Sequence, residues 1–341
     1  MNKPLVSIIL PVYNGALHLR EAVSSILEQD FSDIELIAIN DASKDESDKI
    51  IKGFSDCRII HITNSTNIGL ASTLNLGIEE AKGKFIARMD QDDIADPRRL
   101  KLQIGAFLND SSLGVCGSNF QAFGEDGISN SNYPQSHEKI FTNLLFYNCI
   151  AHPTVMFRKA VFTENRLNYN CEFDWAEDFD LWTRARHITK MTNLKKPLLR
   201  YRINNTSMTA SGQNRVHKTV GSINKRSLFE LGINASDLDL DLHLKIGHNL
   251  IDPNNSILTK KTGEHLWKIY LQNKKVKIYN ETILKETLSN FWNTLLLSIP
   301  EVFRPELLNL EISVLLNSAS DIKWKLNRNY WKKRLKKIIF S

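Results

Sequence analysis

Gly83-Lys84-Phe85-Ile86-Ala87-Arg88-Met89-Asp90-Gln91-Asp92-Asp93 is the stretch on which the fold turns. Lys84–Met89 has the length and apolar content of a buried strand, and Gly83 stops the helix before it. The strand runs straight into acids. In an extended segment residues i and i+2 point the same way, so the Asp90 and Asp92 carboxylates converge. Converging anions repel unless a cation or a donor-rich ligand lies between them. Mg²⁺ and Mn²⁺ are hard ions that take oxygen ligands and share them with a diphosphate. The competing reading is an acidic turn before a helix capped by Asp96, with Pro97 at its first position. Placement after a buried strand favours the ligand, because open α/β sheets bind ligands at the carboxyl ends of their strands.

Upstream, the same pattern repeats. Val6–Val12 is an apolar, β-branched run closing at Pro11 and Asn14-Gly15, and Ile34–Ile39 is a second buried strand. Leu19, Ala22, Val23, Ile26 and Leu27 share one helix face. Ser43-x-x-Glu46 reads as a capping box opening a helix that Ile50, Ile51 and Phe54 continue. Arg58–Ile62 makes a third strand, and Ala71, Leu74, Ile78 and Ala81 another helix. This alternation predicts an α/β fold, a mostly parallel sheet flanked by helices. Residues 113–210 mix strands at Leu113–Cys116, Thr154–Phe157 and Leu198–Ile203 with helices, one of them over about 177–187. Beyond about Ser211 helices dominate, so the predicted division is 1–210 and a mainly helical 211–341.

With 341 residues the chain exceeds what one hydrophobic core usually serves, which agrees with that division. An apolar content of 42% with 24% charged residues excludes a disordered chain. No apolar run approaches the length of a membrane span, and Leu5–Leu10 lacks the features of a signal peptide. Cys57, Cys116, Cys149 and Cys171 include no CxxC pair, which argues against zinc and for a reducing, cytoplasmic setting. Of the net charge of +6, the tail Ile322–Ser341 supplies +8, which leaves −2 for the rest. A nucleic-acid enzyme would spread basic charge over a binding face, so no nucleic-acid partner is expected.

Two further acidic features sit at strand or helix ends. Asp41 follows the second strand and reads either as a ligand for a base or ribose or as a turn-stabilising residue. Glu177-Asp178 opens a helix, where acids favour the dipole, and a carboxylate there could also serve as general base. There is no GxGxxG after the first strand and no GxxxxGK[ST]. His152-Pro153 reads as a feature that opens a strand, with no second His at metal spacing.

In order, Val6-Ser7-Ile8-Ile9-Leu10-Pro11-Val12-Tyr13-Asn14, Asn40-Asp41-Ala42-Ser43, Asn67-Ile68-Gly69 through Asn75-x-Gly77, and the Gly83–Asp93 stretch resemble family 2 glycosyltransferases of the GT-A, Rossmann-like fold. Ala151-His152-Pro153-Thr154-Val155-Met156-Phe157-Arg158, Glu177-Asp178-Phe179-Asp180-Leu181-Trp182 and Tyr201-Arg202 extend the resemblance to about residue 210. It implies that 1–210 is a nucleotide-sugar-binding catalytic domain in which Pro11, Val12 and Tyr13 line the nucleotide pocket. It implies further that Asp41 binds uracil or ribose, Asp90 lies near the ribose, Asp92 holds Mn²⁺ or Mg²⁺, and Asp178 is the base. Asn40 and Ala42 depart from the family's acid and glycine. The segment after Tyr201-Arg202 lacks a histidine, which leaves Arg202 as the phosphate contact.

The resulting expectation is an inverting, metal-dependent transferase. It would move sugar from a UDP donor to a saccharide, lipid-diphosphate-linked as in O-antigen or capsule assembly. The rivals are a sugar nucleotidyltransferase, disfavoured because Val12-Tyr13-Asn14-Gly15-Ala16 carries no basic residue, and an inert membrane-associated assembly factor. In the tail, Trp324, Trp331, Leu335 and Ile338 beside eight Lys and Arg suit a helix on an anionic membrane, which would make the protein peripheral. A helix packed on the body competes with that reading.

Overall fold

The computed structural model describes residues 3–125, 127–173, 175–203 and 213–299. The basic tail lies outside them. In chain order the elements are β1 (Val6–Val12), α1 (Leu19–Leu27), β2 (Ile34–Asn40), α2 (Ser47–Lys52), β3 (Ile59–Thr63), α3 (Leu70–Glu80), β4 (Phe85–Arg88), β5 (Ile94–Ala95) and α4 (Arg99–Asn109). Then come β6 (Leu113–Gly124), β7 (Gly127–Asn130), α5 (His137–Asn143), a 3-10 turn at His152–Thr154, β8 (Met156–Arg158), α6 (Lys159–Glu164), α7 (Glu177–Ala185) and β9 (Lys190–Arg202). The helices α8 (Gln213–Glu230), α9 (Asp237–Gly247), α10 (Ser256–Val276) and α11 (Glu281–Ser298) complete the described chain.

Every residue of β1, β2 and β4 is buried. Strands covered by helices on both faces read as continuous apolar runs, which is why these three stand out in the sequence. The sheet order is β3-β2-β1-β4-β8-β6-β9-β5, with β7 beside β6. β1, β2, β3 and β4 pair in parallel, whereas β8 runs antiparallel to both β4 and β6, and β5 antiparallel to β9. The sheet is therefore α/β as expected but mixed rather than mostly parallel beyond β4. From β1 the connections run outward to β2 and β3 on one side, and β4 lies on the other. That switch opens a crevice at the carboxyl ends of β1 and β4.

Two helix starts differ from the sequence reading. Ser43 does not cap α2: its Oγ accepts the Asn14 N–H at 3.0 Å, and the cap position is Glu46. Ala42 sits at φ +59°, which turns Ser43 toward the loop after β1. α4 begins at Arg99 rather than at Pro97, because Ile94–Ala95 is drawn into β5 against Leu199 and Arg200. Asp96 still accepts the Arg98 N–H at 3.0 Å from the preceding turn.

The chain divides into two compact units, one of residues 1–144 and 148–220, the other of 145–147 and 221–341. Within the second unit, His243 Nδ1 meets His265 Nε2 at 3.0 Å and His243 Nε2 meets the Leu145 carbonyl at 2.8 Å. Burial pushes His243 down to about 3 and His265 down to about 4. The folded unit thus binds fewer protons than the unfolded chain below the ordinary histidine value. Its stability is expected to be full above about pH 6.5 and to fall as pH drops toward 4. Urea unfolding followed across that range checks this, and His265→Gln should flatten the slope.

Candidate active site

The crevice between β1 and β4 carries the first half of the site. At the end of β1, Pro11 and Val12 are buried, Val12 wholly within the core, while Tyr13 is 45% exposed. Gln91, the residue between the two acids, brackets Tyr13: Tyr13 N–H donates to Gln91 Oε1 at 2.9 Å, and Gln91 Nε2 donates to the Tyr13 carbonyl at 3.1 Å. A Cβ at Gly15 would lie 2.2 Å from Gln91 Oε1, so a side chain there would push the Gln91 amide aside. The bracket ties the acidic loop to the end of β1.

Asp41 is 4% exposed. Its Oδ1 accepts from Asn64 Nδ2 at 2.8 Å and the Ile68 N–H at 2.9 Å, and its Oδ2 from the Gly69 N–H at 3.0 Å. The carboxylate thus closes the loop that leads into α3 at Gly69, whose φ of +84° suits glycine.

Arg88, at the end of β4, is the centre of the charge arrangement and escaped the sequence reading. It is 3% exposed, and its Nη1 donates to Asp90 Oδ2 at 2.6 Å while Nη2 meets Asp90 Oδ1. A bidentate fork of this kind fixes a carboxylate in orientation as well as in charge. The charge of Asp90 is thereby paired, and Asp92, half-buried in the turn that follows, has a backbone carbonyl that accepts from Arg202 Nε at 2.9 Å. The Arg202 N–H donates to Asp93 Oδ1 at 2.9 Å, and its Nη2 pairs with Glu21 at 2.6 Å. The guanidinium that the resemblance assigns to phosphate thus straps the acidic loop to Glu21. Beneath it, the buried Arg99 donates to the Arg88 carbonyl at 2.6 Å, and burial pushes its guanidinium down to about 10.

α7 supplies the second half. Asp178 Oδ2 accepts from Asn148 Nδ2 at 2.6 Å, and Asp178 Oδ1 from its neighbour Phe179 N–H at 2.7 Å. Glu177 is 6% exposed. Burial is the main cause that raises both carboxyls above the ordinary range; at Glu177 the negative charge of Asp178 adds to it, and Arg88 acts in the opposite direction on both. Asp90 also adds to the rise at Glu177, so the acid after β4 and those of α7 act on one another and on the buried Arg88. His152, which the sequence suggested only as opening a strand, lies in this group: its Nδ1 is 3.5 Å from Glu177 Oε1 and 4.0 Å from Asp178 Oδ2.

Among the described residues, two acidic features bear on a divalent cation. Asp92 carries its carboxylate in the turn after β4, two residues beyond the Asp90 that Arg88 holds. His152, Glu177 and Asp178 have ligand atoms within 4.8 Å of one another. The fixed positive charge of Arg88 acts on His152 and opposes a cation there.

Residues 7–163 match the family described as Glycosyl transferase family 2. The O-antigen biosynthesis glycosyltransferase WbnJ of Escherichia coli is 35% identical over 214 residues, covering 61% of this chain and 83% of that protein. Among solved structures, S. aureus TarS 1-349 in complex with UDP-GlcNAc superposes with a TM-score of 0.58 at 18% identity, over 93% of this chain and 91% of that one. The mannosyltransferase PcManGT from Pyrobaculum calidifontis in complex with GDP-Man and Mn²⁺ gives 0.53 at 14% identity, over 94% and 87%. These likenesses share the fold just described. With the acids of β4 and α7 gathered at the carboxyl ends of its central strands, this chain is an enzyme that belongs to glycosyltransferase family 2.

Proposed function

We propose that the enzyme transfers a sugar with inversion from a UDP-sugar to a saccharide acceptor in surface-polysaccharide synthesis. The observation that carries this reading is the buried Arg88, which holds Asp90 in a bidentate fork while its charge acts on Glu177 and Asp178. In this reading Tyr13 lies along the base, Asp41 shapes the loop bordering the ribose, and Asp90 accepts from ribose hydroxyls. A cation held by Asp92, Mn²⁺ or Mg²⁺, would neutralise charge developing on the leaving diphosphate. Asp178, oriented by Asn148, takes the acceptor hydroxyl's proton as that oxygen attacks the anomeric carbon opposite the leaving group. No covalent intermediate is required. Residues 1–210 act as the catalytic domain, and Arg202 serves the diphosphate through the loop it straps.

The O-antigen relative supports the acceptor class, and the fold neighbour with UDP-GlcNAc supports the donor class. A panel of UDP-, GDP- and dTDP-sugars with a synthetic lipid-diphosphate acceptor tests the assignment by mass spectrometry. Transfer from a UDP-sugar is expected, and transfer from GDP-sugars alone would contradict it. Gln91→Ala removes two exposed hydrogen bonds, together worth about 1–2 kcal/mol. It should raise the donor KM roughly tenfold, with kcat little changed, in a donor titration.

Among the described residues no helix is long and apolar enough to cross a membrane. We place the enzyme at the cytoplasmic membrane face through Ile322–Ser341, each of whose Lys and Arg residues is worth about 1 kcal/mol near anionic lipid. Deleting 322–341 should leave UDP-sugar hydrolysis intact and release the protein from anionic liposomes in co-sedimentation at low salt. Intact protein that stays in the supernatant would refute this.

A further inference from the structure

We propose that His152 is a positioning residue: its Nδ1–H, held in that tautomer by the Tyr169 hydroxyl on Nε2, orients the Glu177–Asp178 pair for proton acceptance. The inference rests on Asp178 being the base. The His152 ring is 9% exposed, and its Nε2 lies 2.9 Å from Tyr169 Oη. Tyr169 is 1% exposed and cannot drift, because Asn75 on α3 clasps its backbone: Asn75 Nδ2 donates to the Tyr169 carbonyl at 2.8 Å, and Tyr169 N–H donates to Asn75 Oδ1 at 2.9 Å. Trp182 meets the imidazole edge-on with ring centres 6.3 Å apart.

Which nitrogen carries the proton follows from what faces each one. Nδ1 looks toward two carboxylate oxygens, at 3.5 and 4.0 Å. At a pH where Asp178 is ionised and able to act as base, an Nδ1–H faces its carboxylate as a donor, whereas a lone pair would oppose it. Catalytic hydrogen bonds are often long before the substrate binds. With the proton on Nδ1, Nε2 is an acceptor, and the tyrosine must donate. Burial favours that arrangement at both ends: it lowers His152 well below its ordinary value, so the ring is neutral, and it raises the Tyr169 phenol, which keeps its proton. The other charged or titratable groups felt here are Arg88, Asp90 and the buried Tyr133. The result is a chain of contacts from α3 through Tyr169 and His152 to the acids of α7.

Asparagine places its amide nitrogen where Nδ1 stood, and glutamine places its own where Nε2 stood. The proposal therefore separates two substitutions that a mere packing role would not. His152→Asn should keep kcat within about tenfold of wild type, while His152→Gln and Tyr169→Phe should each lose roughly 10–100-fold, the usual cost of removing a residue that orients a reactive group. Donor affinity, measured by titration with the UDP-sugar, should stay within about twofold in all three. The acidic limb of kcat should move to higher pH in the Gln and Phe variants and stay in place in Asn. Melting temperatures identify any variant that fails to fold, and Tyr169→Phe, which preserves volume, keeps the test open. Equal losses in Asn and Gln, or an unmoved acidic limb in Gln and Phe, overturn the proposal. So does saturable Mn²⁺ binding by Asp92→Asn, read by electron paramagnetic resonance, that His152→Ala abolishes, since that would make the cluster a cation site. Asp178→Asn in the same series separates the two claims. Normal turnover there removes the base itself, whereas an inactive Asp178→Asn beside equal Asn and Gln losses removes only His152.

Discussion

Asp178→Asn is expected to lower turnover by roughly 10²–10⁴, the range that a positioned general base contributes, while leaving donor affinity unchanged. Asparagine keeps the shape and the contact with Asn148 but cannot take a proton. The same assignment fixes a pH dependence. The carboxylate must be ionised to act, and burial raises its value above the ordinary aspartate range. Activity should therefore rise with pH along a limb displaced upward from pH 4 and disappear as pH falls through it. A kcat–pH profile with its acidic limb at the ordinary aspartate position would contradict this environment, and near-normal kcat in Asp178→Asn would move the role to Glu177.

Asp92→Asn should reduce turnover by about two or more orders of magnitude, because a preorganised electrostatic contact to the leaving group is worth several kcal/mol. EDTA should have the same effect on the wild type. The side chain is half-buried in the turn after β4, and its neighbour Asp90 is held in the Arg88 fork. Full activity in EDTA would remove the metal from the mechanism. Arg88→Met should be comparably severe for another reason: it leaves Asp90 without its partner and the α7 acids without their fixed counter-charge. A fall in thermal stability together with activity would distinguish it from Asp92→Asn.

The sequence made the first half of the sheet legible because β1, β2 and β4 are buried on both faces and bounded by Pro, Gly or Asp. The second half was legible only in outline. β5 has two residues and β8 three, too few to show a pattern, and both owe their place to pairing with distant strands. The acids were visible because their spacing and their placement at element ends are local properties. Their partners were not. Arg88 reads as one more strand residue until its fork is seen on Asp90. Gln91 filled the variable place between two acids, and its function depends on Tyr13, 78 residues away. His152 showed only a proline beside it, while its chemistry comes from Tyr169 and Glu177. Arg202 was read through the residues that follow it, yet its contacts run back to Asp92, Asp93 and Glu21. Asp41, in turn, offered two readings, and its partners Asn64, Ile68 and Gly69 come from a loop 23–28 residues further on.

The central claim is metal-assisted transfer with inversion at this one cluster of acids. It is tested most directly by following the anomeric proton by NMR while the enzyme, with Mn²⁺, consumes an α-linked UDP-sugar. The account predicts that the first sugar product carries the β configuration and that its appearance stops in EDTA and in Asp178→Asn. An α product, or release that continues undiminished in both, would contradict it.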